Sequence, residues 1–184
     1  GDVELFAQNN HRPVLAITGS NGKTTVTTLL GQMLTAAGKR AKVCGNIGYP
    51  VLDILASHIL DYFVMELSSF QLETTYSLKP SVAVVLNVTP DHMDRYDDFS
   101  DYLAAKQAIY QDCDIAVINL DEPTIWQSLS FDDPPIGFTL KTPQAGQFGI
   151  CEQAGRSYLA HGPTLLLPTD ELVLQGQHHY QNAL

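Results

Sequence analysis

A chain of 184 residues with 45% hydrophobic content and a mean hydropathy near zero is long enough to close one hydrophobic core and reads as a globular domain. Its formal net charge of −10 argues against a nucleic-acid partner, whose phosphates need a basic face. A nucleotide stays open as a ligand, because a few backbone N–H groups and one lysine can hold phosphate locally.

In chain order, residues 1–12 read as a short helix entering an apolar strand at residues 14–18. The stretch "AITGSNGKTTVTTLL" then bends at a glycine and continues with Val26, Leu29, Leu30, Met33, Leu34 and Ala37 at helical spacing, which predicts an apolar helix face. Gly38 supplies the stop, with Lys39 and Arg40 beside the negative end of the helix dipole. Further buried strands are expected at 41–44, 62–67, 82–88 and 115–119, with helices at 50–57 and 99–111. This alternation is a doubly wound pattern, a three-layer α/β/α domain with a mainly parallel sheet. After Asp121, prolines and glycines punctuate short apolar pieces ("QFGIC", "SYLA", "TLLLP"), predicting a small attached antiparallel sheet. The last stretch, "GQHHYQNAL", starts another helix. The expected organisation is an entering helix over 1–12, an α/β core over 13–120, the small sheet over 121–175 and a truncated helix over 176–184, one domain of a longer enzyme.

Cys44, Cys113 and Cys151 are isolated, odd in number and free of C-x-x-C spacing, which fits reduced thiols in a cytosolic protein rather than a disulfide or zinc framework. No apolar run reaches membrane-spanning length, and residues 1–4 do not read as a signal peptide.

Four places carry candidate chemistry. Gly19-Ser20-Asn21-Gly22-Lys23-Thr24 follows a strand and opens a helix, as in a phosphate-binding loop. It is two residues shorter than the common G-x-x-x-x-G-K-[ST], because the residue six before Lys23 is Ile17, inside the strand. Thr24 can ligate Mg²⁺; the bland alternative is a Gly-Asn-Gly turn that happens to precede a lysine. Glu66 ends an otherwise apolar strand, where an acid is costly to bury without a cation or donors. At a strand's carboxyl end it would share an edge with the Gly19 loop and hold a hard cation, or else cap the Ser68–Ser69 turn. Asn87, Asp91, His92, Asp94 and Arg95 cluster at the end of the next strand, as a site or as an exposed acidic loop. Lys106 falls in the stripe of Phe99, Tyr102, Leu103, Ile109 and Tyr110. It either snorkels out of the core or is held inward because its charge is used or has been removed by modification.

"TGSNGKTT", "GNIG" at 45–48, "ELSSFQLE" at 66–73, "NVTPDHMDRY" at 87–96 and "YLAAK" at 102–106 together resemble the Mur ligases, whose glycine loop has this shorter form. The resemblance covers nearly the whole chain and is weakest from 121 to 169. "SSFQLE" is similar to the branch of that family that adds D-glutamate. The resemblance implies the central ATP-binding domain of a three-domain, cytoplasmic, monomeric enzyme of peptidoglycan precursor synthesis. Flanking domains would bind the UDP end of UDP-N-acetylmuramoyl-L-alanine and D-glutamate. It also implies residue roles. Gly19, Ser20, Asn21, Gly22, Lys23, Thr24 and Thr25 would hold ATP phosphates, and Thr24 and Glu66 one Mg²⁺. His92 would hold the second, and Lys106 would be carbamylated, giving a carboxylate that suits a hard cation, while Asn46, Ser68 and Gln71 would face the muramoyl substrate. His179 and Asn182 would meet adenine, with His179 standing where the family motif has asparagine; an imidazole cannot supply an amide's donor and acceptor together. The competing reading is an isolated P-loop nucleotide-binding module or a hydrolase.

Overall fold

Short apolar runs at regular spacing build the molecule, and the computed structural model describes them over residues 1–57, 59–91 and 93–184. The chain divides into two units, Gly1–Ala116 and Val117–Leu184.

In the first unit, β1 (Val14–Thr18), β2 (Ala41–Gly45), β3 (Tyr62–Glu66) and β4 (Val82–Val85) pair in parallel in the order β2-β3-β1-β4. The helices are α1 (Asp2–Asn9), α2 (Lys23–Ala36), α3 (Val51–Leu55), α4 (Ser69–Leu72) and α5 (Phe99–Gln107). Val43 pairs with Val64, so both side chains share one face, and strand alternation sends Phe63 to the other. Gly31 of α2 lies against Val43, while Phe6 of α1 meets Phe63 edge-on at 4.9 Å. Helices therefore cover both faces, as a parallel sheet requires.

The apolar stripe expected on α2 is not what the helix buries. Thr27 and Gly31 are its buried residues, and Met33 is 57% exposed. The reason is close approach: a Cβ at Gly31 would stand 2.7 Å from Val43 Cγ2, so small residues set the contact and the larger ones flank it. Thr27 removes its polarity by donating to the Lys23 carbonyl, at 2.8 Å. The helix ends in a Schellman motif, with Gly38 at φ +75°, its N–H on Thr35 O and the Lys39 N–H on Leu34 O. Arg40 is claimed by Asp61 rather than by the dipole, through an ion pair at 2.6 Å.

α1 is docked as well as connected. Val3 and Phe6 are buried, and Glu4 accepts from the N–H groups of Tyr76 (2.7 Å) and Ser77 (3.0 Å) and from the Ser77 hydroxyl (2.7 Å). The Tyr76 N–H first, and then Ser77, hold its carboxyl down to about 2.

Several expected boundaries shift. The helix expected over 50–57 is realised as α3, over five residues. α5 closes into a tighter 3₁₀ turn at Ala108–Tyr110. The strand expected over 82–88 stops at Val85, although the Leu86 N–H still reaches Thr18 O at 2.9 Å.

In the second unit, the end of β5 (Ile115–Asn119) pairs in parallel with β6 (Ile136–Phe138), and β6 with β7 (Phe148–Gln153). β6, three residues after a Pro-Pro pair, was too short to read from pattern. The expected antiparallel sheet is β7, β8 (Arg156–His161) and β9 (Thr164–Pro168), continuous through β7 with the parallel pairs. The β7–β8 hairpin turns on Ala154 and Gly155, at φ +52° and +76°, as a two-residue primed turn demands. α6 (Gln177–Ala183) ends the chain.

Candidate nucleotide and metal site

The loop after β1 makes its bend with Gly22, at φ +82° and at the N-cap of α2. Among the described residues no side chain caps this helix, so the N–H groups of its first turn, which have no helical acceptors, are available to an anion. A cavity of about 340 Å³ opens there, lined by the loop from Ser20 to Thr25 together with Asn46 and Glu66. Lys23 Nζ lies along the loop, donating to Gly19 O at 2.7 Å and Ser20 O at 3.1 Å.

Glu66 is 1% exposed at the end of β3. Thr24 Oγ1 donates to its Oε2 and Asn46 Nδ2 to its Oε1, both at 2.9 Å. The two donors are neutral, which leaves the carboxylate's charge uncompensated by them, and burying such a charge is costly. A carboxylate and a hydroxyl at a cavity beside an open helix N-terminus are hard oxygen donors of the kind Mg²⁺ takes alongside phosphates, so the residues fit that ion. The turn cap expected as the alternative for Glu66 belongs to Ser68 and Gln71 instead. They form a capping box on α4, with Gln71 N–H on Ser68 Oγ at 3.2 Å and Ser68 N–H on Gln71 Oε1 at 3.0 Å.

"GNIG" brings Asn46 to Glu66 by close approach. Gly45 has φ +99°, and a Cβ on it would stand 2.2 Å from Glu66 O; Gly48 has φ +75°, with a Cβ 2.5 Å from Val43 O. The Asn46 N–H can therefore sit on Glu66 O at 2.8 Å while its amide reaches the carboxylate. Gly45→Ala should cost roughly 2–3 kcal/mol, about 5–10 °C in Tm. Gly38→Ala, at a similar φ but with nothing within 4 Å, should cost about 1 kcal/mol. Equal losses in thermal unfolding would contradict this account.

Lys106 is 2% exposed. Its Nζ donates to Gly19 O at 3.0 Å and lies 4.7 Å above the Tyr102 ring. Burial, and then the nearby Lys23 charge, pull it down to about 8. Of the two ways read for Lys106, the structure takes the inward one.

The strand-end cluster divides. Asn87 and Thr89 hold the Gly19–Thr24 loop: the Ser20 N–H donates to Asn87 O at 2.9 Å, and the Thr89 N–H to Ser20 Oγ at 3.0 Å. Ser20 Oγ also meets the Tyr102 hydroxyl at 3.1 Å. Arg95 and Tyr96 turn the other way. Arg95 pairs with Glu73 at 2.8 Å and stacks on Phe70, and the Tyr96 hydroxyl donates to Glu73. Tyr96 packs on Tyr102, so α4 and the Gly19–Thr24 loop are joined through aromatic rings. His92 lies outside the described residues. Sequence reasoning passed over Tyr102 and Thr89; for Tyr102 the available signal was its place one turn before Lys106 on the buried stripe.

His179 and Asn182 stand on α6, in the second unit. The His178 and His179 rings lie 3.9 Å apart, and His179 Nδ1 is buried without a hydrogen-bond partner among the described residues. Among the described residues no helix is long and apolar enough to cross a membrane, and no cluster of three His, Cys, Asp or Glu side chains forms a ready-made metal cage.

A family model described as the Mur ligase middle domain matches residues 17–184. All of the chain aligns with a UDP-N-acetylmuramoylalanine–D-glutamate ligase of Coxiella burnetii, at 52% identity over 41% of that protein's length. It likewise aligns with namesakes from Hahella chejuensis (47%, 41% of the length) and Legionella pneumophila (48%, 42%). The chain thus spans about two-fifths of the curated relatives it matches. Among solved structures, a UDP-N-acetylmuramoyl-L-alanyl-D-glutamate–2,6-diaminopimelate ligase superposes with a TM-score of 0.75 at 23% identity, over 94% of this chain and 42% of that one. A UDP-N-acetylmuramate–alanine ligase from Thermotoga maritima gives 0.67 at 20%, over 97% and 42%. These likenesses bear out the expected α/β fold.

Proposed function

The chain belongs to the Mur ligase family, matching its middle domain, and from that membership we propose that it is the ATP and Mg²⁺ centre of an enzyme joining D-glutamate to UDP-N-acetylmuramoyl-L-alanine. The observation that carries this reading is the shared cavity of the uncapped α2 N-terminus, Lys23 and the buried Glu66. The UDP end of the muramoyl substrate and D-glutamate fall to parts of the protein outside this chain, and the enzyme works as a cytoplasmic monomer.

In this reading the N–H groups of the α2 first turn and the Lys23 ammonium hold the β- and γ-phosphates of ATP. Thr24 and Glu66 take one Mg²⁺; His92 and a carbamylated Lys106 serve a second. Mg²⁺ held there would supply charge neutralisation at the phosphoryl oxygens. The γ-phosphoryl passes to the alanine carboxylate, giving an acyl phosphate and ADP. The amine of D-glutamate then attacks the acyl carbon and phosphate leaves. Asn46, Ser68 and Gln71 face the muramoyl-alanine substrate, and His179 and Asn182 the adenine.

The test is phosphate release by the full-length enzyme. A ligase needs both UDP-N-acetylmuramoyl-L-alanine and D-glutamate, whereas a P-loop hydrolase needs neither; release from ATP alone at the full rate would sink the reading. Residues 1–184 by themselves should give no ligation with all three substrates present, because positioning supplies much of the rate in such transfers.

A further inference from the structure

The phosphate loop is braced from outside, by a side chain with no role in the chemistry above. Asn87, just past β4, uses both ends of its carboxamide on the backbone of one residue. Oδ1 accepts the Asn21 N–H at 2.8 Å, and Nδ2 donates to the Asn21 carbonyl at 3.0 Å. Its own carbonyl accepts the Ser20 N–H at 2.9 Å. The fit is tight: a Cβ on Gly19 would stand 3.1 Å from Leu86 Cβ and 3.3 Å from Asn87 O.

We propose that Asn87 is the positioning residue of the phosphate loop, its carboxamide clamping Asn21 so that anion contacts begin at Gly22. The proposal rests on the nucleotide reading and deepens it. A loop two residues shorter than the common form has little chain with which to shape itself. A carboxamide is suited to brace it, because it presents one donor and one acceptor side by side, which a carboxylate or hydroxyl of that length does not. The clamp also has a chemical consequence. The N–H groups of Ser20 and Asn21 already have protein acceptors, which narrows the phosphate-binding set from Ser20–Thr25 to Gly22, Lys23, Thr24 and Thr25. Asn87 itself touches no substrate in this scheme and acts through the loop.

The test uses Asn87→Ala and Asn87→Asp in the full-length enzyme, with affinity for ADP–Mg²⁺ and KM for each substrate as readouts. Both variants keep the backbone bond to Ser20, so the strand end stays anchored. Asn87→Ala loses two neutral hydrogen bonds and should weaken nucleotide binding roughly tenfold, with KM for D-glutamate and the muramoyl substrate unchanged. Asn87→Asp retains the acceptor but sets an oxygen against the Asn21 carbonyl and should do no better; if the alanine variant fails to fold, this variant decides. Amide exchange at Asn21 should quicken in Asn87→Ala, which takes the acceptor from that N–H. Nucleotide affinity within about twofold of the parent, or equal losses for all three substrates, would overturn the proposal. Parent enzyme that binds no ADP–Mg²⁺ would instead overturn the nucleotide reading, and this proposal with it.

Discussion

Lys23→Ala in the full-length enzyme should lower kcat by roughly 10²–10³-fold or more while leaving the fold intact, because the proposed function makes the lysine a point charge on the phosphoryl group as it transfers. The structural cost should be small. Lys23 is half-buried, and among the described residues its ammonium bonds to two carbonyls of its own loop, Gly19 O and Ser20 O. The Asn87 clamp on the loop does not involve it. The unfolding midpoint should therefore move by no more than a few degrees. A variant with near-normal kcat would rule out the phosphate role, and a large fall in unfolding temperature would make Lys23 a structural residue instead.

The second large effect is expected at Lys106. If its amine carries CO₂ as a carbamate, Lys106→Ala removes a carboxylate from the metal site and should nearly stop phosphoryl transfer, with substrate binding less affected. Millimolar formate or acetate should restore part of the rate, since a small carboxylate can fill the vacated space and meet the cation. The environment favours the modification. Burial and the Lys23 charge bring Lys106 down to about 8, so the neutral amine that reacts with CO₂ is far more populated than on an exposed lysine. A plain structural lysine predicts differently. It would serve through its bond to Gly19 O and its place over the Tyr102 ring, so alanine would cost packing and stability, and no anion would rescue it. Full activity in the alanine variant, or failure of carboxylates to rescue it while Mg²⁺ still binds, would count against carbamylation.

Much of the scaffold was legible because its signals are local. The strand–loop–helix run around Gly19–Thr24, the acid closing β3 and the lysine inside an apolar stripe each follow from period, spacing and residue type within a dozen positions. The stop at Gly38 was equally local, since a left-handed C′ residue is a property of glycine itself. Where the reading failed, a partner distant in sequence had the deciding energy. The stripe on α2 predicted burial of Met33, but the shape of β2 at Val43 admits Gly31 and Thr27 there instead. β6 has three residues and little pattern of its own; it is a strand because β5 and β7 offer it hydrogen bonds.

The sequence by itself therefore determined that this chain has a parallel α/β core with a glycine turn opening a helix after its first strand, because those features arise from backbone preferences and short-range hydrophobic period. Only the tertiary structure decided how the site is wired: that Asn46 and Thr24 share Glu66, that Lys106 reaches Gly19, and that Asn87 clamps Asn21. Those contacts join residues 20 to 87 positions apart in the chain. Each is set by which strand lies beside which, and no local period carries that information.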